Sequence, residues 1–432
     1  MSVSGRARLV EHVRLPLHRD GYALAANSAF TAVTGLVFWV VAAHPYGPRV
    51  VGVNAALISS MMFLSGIAGL NLANVVVRFL PDAGRRTARL TVIAYAAAAS
   101  TALAVGLVFV LGVGAWAPAL DFLRDDLLLG GWFLVSTLGW CLFAIQDSVL
   151  TALGRAVWVP LENAVFALLK LGLLVVLAAL MPVYGIFVSW TAAMLVSVVG
   201  VNAVIFMWLM PRRRPDAAEG LTTLRTPAFR RYFAADYMCS VAWMSGTNLM
   251  PLVVTAVAGP AANAGYALAW AVSLPLYAFA ASIGMSLVLH GSREGASLPE
   301  LERKAALQGA RVLLPSVLVA VVLAPEILTL FGSGYSAAAT TVLRLLALSA
   351  LPYFVLTLAI SVARIERRLR PAVVAWATQA VLALGLAAPL VSALGVTGAG
   401  VAWFASQCTV AAVVLALRAG RHVLSLGTSA RA

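Results

Sequence analysis

Charge is what this sequence has least of. Only 11% of its 432 residues are Asp, Glu, Lys or Arg, while 62% are hydrophobic; an ordinary soluble domain carries about 25% charged residues. A water-soluble fold of this length needs a polar surface that the chain cannot supply. A bilayer removes the need, because lipid faces the outer residues. Cysteine is scarce as well. Cys141, Cys239 and Cys408 all fall inside apolar stretches, where they read as small core hydrophobes and indicate neither a disulfide framework nor a metal site. Lysine is nearly missing, with Lys170 and Lys304 alone beside many arginines, a bias typical of GC-rich bacterial genomes. No loop of the G-x-x-x-x-G-K type occurs, so the chain has no such means of hydrolysing ATP.

What is present is a series of apolar runs. The first twenty residues are basic and polar, with Arg6, Arg8, Arg14 and Arg19. A cleavable signal peptide has a short apolar core followed by small residues. Here the run from Gly21 to Ala43 is long enough to span, so it is expected to be the first membrane helix. Further runs lie at about 50–77, 90–115, 127–152, 157–180 and 185–210, then at 233–258, 264–290, 310–332, 337–363, 372–394 and 397–417. Each is close to the roughly 20 residues that cross a bilayer as a helix. The expected fold is all-α and polytopic, with about twelve spans. Met181 to Gly185 and Gly395 to Gly398 are turn chemistry, predicting two tight helical hairpins.

The formal net charge of +14 does not point to nucleic acid, which needs a continuous basic face with readable motifs. The arginines instead sit in short clusters between runs, where they set topology. The N-terminus, every second connection and the C-terminus hold 26 Lys and Arg, while the opposite connections hold only Arg49 and Arg124. A missed or invented span would destroy that split. Both termini are therefore expected on the cytoplasmic side of a bacterial plasma membrane.

The most polar internal stretch, 211–232, divides the runs six and six. The expected organisation is an N-terminal lobe 1–210, a cytoplasmic linker 211–232 and a C-terminal lobe 233–432. The halves echo one another. Val51-Gly52-Val53-Asn54 opens the second run and Ala264-Gly265-Tyr266-Ala267 the eighth; Pro160 and Pro371 each begin a fifth run; Tyr184-Gly185-Ile186-Phe187-Val188-Ser189-Trp190 matches Thr397-Gly398-Ala399-Gly400-Val401-Ala402-Trp403. Six spans per half give both halves one orientation, a repeat symmetry common in transporters. Outer loops are short, and those after runs 5, 7, 9 and 11 carry no His, Asp or Glu. That leaves little room for an outer catalytic constellation, so a transporter is expected rather than an enzyme, with two pseudo-symmetric six-helix bundles around a cavity.

Asp82-Ala83-Gly84-Arg85-Arg86 partly matches the major facilitator pattern G-x-x-x-D-R-x-G-R-R, but it lacks the leading glycine and one residue and reads as a basic turn. A broader likeness runs through Pro16-Leu17-His18-Arg19-Asp20-Gly21-Tyr22 to Asn27-Ser28, then Gly35-Leu36-Val37-Phe38-Trp39, Val51-Gly52 and Gly69-Leu70-Asn71-Leu72-Ala73-Asn74 to Pro81. Over about the first 85 residues the chain resembles the polysaccharide biosynthesis and O-antigen flippase family of the multidrug/oligosaccharidyl-lipid/polysaccharide (MOP) superfamily. The resemblance implies a flippase for undecaprenyl-diphosphate-linked oligosaccharide, working by alternating access among membrane lipids and with the polysaccharide biosynthesis machinery. Many members of that family carry fourteen helices. Twelve is closer to the multidrug exporters, which keeps a cation-coupled exporter of small molecules as the alternative.

Ionisable groups inside a bilayer are costly and are functional candidates. Lys170 in the middle of run 5, Arg344 in run 10 and Arg78 at the end of run 2 are the candidate contacts for a diphosphate; for Lys170 the competing role is an ion pair with an acid such as Asp147. Asp147 in run 4 and Glu162 in run 5 are candidates for a coupling proton or sodium ion, as is Asp236 in run 7 beside Gln379 and Gln407. Asn71 and Asn74 share a face of run 2 and are expected to bond between helices. No cofactor and no resident metal are expected.

Overall fold

The computed structural model describes residues 16–210, 227–291, 297–366 and 368–429. Arg6, Arg8, Arg14 and 211–226 of the expected linker lie outside the described residues. Among the described residues twelve long helices follow in chain order: α1 (Pro16–Ala43), α2 (Pro48–Ala68), α3 (Thr87–Trp116), α4 (Leu127–Ala152), α5 (Trp158–Leu180), α6 (Gly185–Val204), α7 (Pro227–Ala258), α8 (Pro260–Gly291), α9 (Leu298–Val322), α10 (Ser333–Ile365), α11 (Leu369–Leu394) and α12 (Val396–Ser429). No strand occurs among the described residues. Eleven of these helices are long and apolar enough to cross a membrane, and α1 contributes the shorter apolar segment Phe30–Ala43. The chain is a polytopic, all-α membrane protein. In lipid every backbone N–H and C=O must be satisfied inside its own segment, which leaves helices as the way to cross.

Polar residues within the spans follow the same rule. Ser60 donates to the Ala56 carbonyl (2.8 Å), Thr91 to Thr87 (3.0 Å) and Thr137 to Phe133 (2.8 Å), each four residues back. The buried face of α3 is built from Ala94, Ala98, Ala102 and Gly106, small residues four apart that let neighbours approach closely.

Two run boundaries differ from expectation. Run 2 is not one span: α2 stops at Ala68, Leu70 and Asn71 take positive φ (45° and 56°), and a separate short helix Leu72–Phe79 follows. Asn74 donates to Asn71 Oδ1 at 2.7 Å on an exposed surface, so these two residues bond to each other at the break. Run 9 is likewise divided into α9, ending at Val322, and a short helix Ala324–Thr329. The Asp82–Arg86 turn is a 3-10 segment, Pro81–Arg86, in which Gly84 has φ 52°.

The chain divides into two compact units, one of 1–42, 64–113 and 121–229, the other of 43–63, 114–120 and 230–432. In the first, the short helix Leu72–Phe79 packs on α4, and α6 packs on α4 and α5. In the second, α10 is flanked by α8 and α12, and α11 pairs with α12. The hairpin between α11 and α12 turns at Gly395 (φ 60°), and a Cβ on Gly398 would lie 2.0 Å from the Leu390 carbonyl oxygen. The start of α2 belongs to this unit: Asn263 donates to the Gly52 carbonyl (2.8 Å), and a Cβ on Gly52 would meet the Pro260 oxygen at 1.7 Å.

Candidate functional site

On α5 the buried residues include Glu162, Phe166 and Lys170, spaced by four and hence on one face. A carboxyl and an ammonium thus share a helix face, about 12 Å apart along the axis, with a phenyl ring between them. Each finds a different environment in the first unit.

Lys170 is 4% exposed. Its Nζ lies 3.9 Å from the ring centre of Trp190, 4.8 Å from Phe38 and 4.9 Å from Phe166. Each ring presents a negative face, and a desolvated cation–π contact is worth about 2 kcal/mol or more. The cage comes from α1, α5 and α6, and Trp190 also packs edge-on to Phe38 at 5.1 Å. Among the described residues Lys170 has no acid within ion-pair distance. The ion pair with Asp147 weighed as its competing role is not formed.

Glu162 is 6% exposed and anchors a polar network. Gln146 of α4 and Ser197 of α6 donate to its Oε1, Ser197 at 3.3 Å. Asn202 donates to Gln146 Oε1 at 2.8 Å. Asp147, half-buried on α4, adjoins both Glu162 and Asn163, and Tyr95 of α3 lies beside Asn202. Glu162 Oε2, Asp147 Oδ1, Asn202 Oδ1 and the Tyr95 hydroxyl are buried, and among the described residues none of them has a partner in good hydrogen-bond geometry. Two adjoining carboxyls that have no ion-pair partner among the described residues are chemically suited to sharing a proton or holding a small cation. Among the described residues no group of three or more His, Cys, Asp or Glu gathers as a metal site.

Beside this network a cavity of about 310 Å³ opens between α5 and α6, lined by Trp158, Leu161, Glu162, Val165, Val196 and Ser197 among others. Leu161 (63%), Val165 (54%) and Val196 (59%) are exposed, so the mouth lies on an apolar flank.

The remaining candidates stand apart. Arg78 is exposed on the short helix Leu72–Phe79, not at the end of a span. Arg344 is exposed, and its Nε donates to the Val321 carbonyl at 3.0 Å; it satisfies one of the last carbonyls of α9, a helix C-terminal role. Asp236 on α7 pairs with Arg364 on α10 at 3.4 Å. Gln379 reaches Ser406 (3.4 Å), while both polar atoms of Gln407 are buried without a partner among the described residues.

Sequence reasoning missed a second aromatic cluster, in the second unit. Trp243 of α7 sits 4.9 Å from Tyr353, 5.0 Å from Trp376 and 5.9 Å from Trp403. Trp403 donates to Tyr277 Oη (2.9 Å), and Tyr277 donates to the Leu346 carbonyl (2.8 Å). The repeat held the signal: Trp190 and Trp403 close the two matching motifs, and each organises an aromatic cluster in its own unit.

No protein-family model matches the chain, and the curated proteins yield no significant match. Solved structures do match. The lipid II flippase MurJ in an inward closed conformation aligns with a TM-score of 0.72 at 14% identity, covering 90% of this chain and 86% of that one. An inward-facing multidrug resistance MATE family transporter of the MOP superfamily gives 0.66 at 16%, covering 93% and 96%. A MOP superfamily transporter from Pyrococcus furiosus gives 0.55 at 14%, covering 96% and 95%. The chain therefore shares the fold of the MATE and MurJ transporters over nearly its whole length.

Proposed function

We propose that this chain is a membrane transporter that flips undecaprenyl-diphosphate-linked oligosaccharide by alternating access. The observation that carries the reading is Lys170. A buried ammonium without an acid partner is costly in a bilayer, and an anionic ligand would offset that cost. The surrounding rings suit stacking against sugar or isoprenoid. The resemblance of the first 85 residues supports the same cargo, and Arg78 supplies an exposed cation for first contact. Asp147 and Glu162 hold the coupling proton or sodium ion that drives the cycle. The protein acts in the bacterial plasma membrane with both termini cytoplasmic, alongside the polysaccharide biosynthesis machinery, and performs no covalent chemistry.

A second reading, a cation-coupled exporter of amphipathic small molecules, is favoured by Arg344, whose bond to the Val321 carbonyl leaves one fewer cation for a diphosphate. Deletion separates the two: loss of surface polysaccharide with unchanged drug sensitivity supports the flippase, and drug hypersensitivity with normal polysaccharide supports the exporter. For the site, Lys170→Met in proteoliposomes is expected to slow flipping of a fluorescent polyprenyl-diphosphate sugar by about tenfold or more, a loss of roughly 1.4 kcal/mol or more of binding. Flipping at the wild-type rate by folded Lys170→Met protein would rule this assignment out.

A further inference from the structure

We propose that α7 carries a saccharide-binding face in the second unit, with the Trp243 indole as the platform on which a neutral sugar ring stacks. The site follows from the geometry of α7; that its ligand is the glycan of a lipid-linked oligosaccharide rests on the flippase reading.

Among the described residues α7 is the least apolar of the eleven spanning helices, and its polar side chains are not scattered. Asp236, Ser240, Trp243 and Thr247 recur at steps of four, three and four, which sets them along one face. The exposed Arg231, Ala234 and Met238 fall on the opposite side of the helix. Trp243 is half-buried, and its accessible surface therefore points away from the flank that α7 exposes. Ser240 donates its hydroxyl to the Asp236 carbonyl (3.1 Å) and Thr247 to the Trp243 carbonyl (3.0 Å). Both hydrogens are committed within the helix, and the hydroxyl oxygens remain as acceptors. Trp403 commits its indole N–H to Tyr277 Oη; that of Trp243 has no partner among the described residues.

The ring is braced by its neighbours. Tyr353 of α10 lies 4.9 Å away and Trp376 of α11 meets it edge-on at 5.0 Å. Trp403, at 5.9 Å, is itself fixed through Tyr277 to the Leu346 carbonyl. A platform held this way has little side-chain freedom left to lose on binding. Its aromatic face is negative and complements the weakly positive C–H face of a pyranose ring. Sugar hydroxyls supply a donor for Ser240 and an acceptor for the indole N–H. Charge decides against other heads. Asp236, two turns from Trp243 on the same face, is held by Arg364 at 3.4 Å. The face thus offers neither a free cation to a phosphate nor a free acid to an amine, and a neutral polyhydroxylated ring suits it best.

The full chain in phosphatidylcholine nanodiscs provides the test. The probes are radiolabelled undecaprenyl diphosphate bearing a neutral disaccharide and the same lipid diphosphate without sugar. The wild type is expected to bind the sugar-bearing lipid about tenfold more tightly. That lipid alone should shift the Trp243 emission, taken as the difference from Trp243→Phe. Trp243→Leu should bring the two affinities together, and Trp243→Phe, which keeps a ring but loses the N–H, should lower the preference about threefold. Equal affinities in the wild type overturn the proposal, as does an undiminished preference in Trp243→Leu. Should Trp243→Leu fail to fold, an undiminished preference in Trp243→Phe overturns it instead. Quenching of the Trp243 signal by phosphatidylcholine brominated along its acyl chains would place the ring against lipid and overturn it too. Flipping is scored separately in proteoliposomes. A sugar preference in binding without flipping upholds this site and removes the flippase reading; flipping with equal affinities does the reverse.

Discussion

Lys170 and Glu162 occupy one face of α5, yet each meets a different chemistry because different helices pack beside them. Phe38 and Trp190 enclose the first; Gln146 and Ser197 bond to the second. Gln146 connects Glu162 to Asn202, so Gln146→Leu removes both a donor and an acceptor. Leaving buried partners unsatisfied costs about 1–3 kcal/mol, and thermal unfolding in detergent should show that loss while Lys170 keeps its cage. Arg344→Ala is expected to behave otherwise. It frees one carbonyl at the exposed end of α9, where stability should fall by no more than about 1 kcal/mol and transport should persist. A transport defect in well-folded Arg344→Ala would return that residue to the cargo path. Both outcomes turn on partners that single residue types do not announce.

At the scale of elements, the apolar runs located the helices because each span must close its own hydrogen bonds and so has a minimum apolar length. The run at 127–152 matches α4 residue for residue, and the run at 157–180 differs from α5 by one. The break within run 2 was hidden, since both of its halves are apolar and the interruption lies in positive φ at Leu70 and Asn71. Close approach of backbones was equally hidden. Gly52 and Gly398 would each drive a Cβ into a carbonyl oxygen, an obstacle that no rotamer change relieves. Gly52→Val and Gly398→Ala should therefore each cost about 1–3 kcal/mol or more, seen as reduced yield of folded protein in the membrane. Gly172, with open space around its Cβ position, serves as the control, and Gly172→Ala should express normally.

For the molecule as a whole, the topology follows from charge placed at the ends of spans. Reporter fusions after Gly154 and Arg303 are expected to be cytoplasmic, and fusions after Val183 and Ala262 external; the reverse pattern would refute the 26-to-2 reading of the basic residues. The repeat in the sequence pointed to two related halves, and the fold shared with MATE and MurJ transporters is of matching length. The charged positions do not repeat with it. Ten residues after Pro160 stands Lys170, buried, whereas ten after Pro371 stands Val381, 70% exposed. Among the described residues the buried lysine and the acidic network thus lie in the first unit.

The sequence by itself determined that the chain crosses a membrane repeatedly as helices, because the bilayer makes hydrogen bonding local and leaves composition to mark each span. It also marked Lys170, Asp147 and Glu162, since charge in an apolar run is conspicuous. Only the tertiary structure decided what these groups meet. Asp236 finds Arg364 across 128 residues of chain, and Gln146 finds Asn202 across 56. Such pairings are set by which helix faces pack together, and uniformly apolar spans do not encode those faces locally.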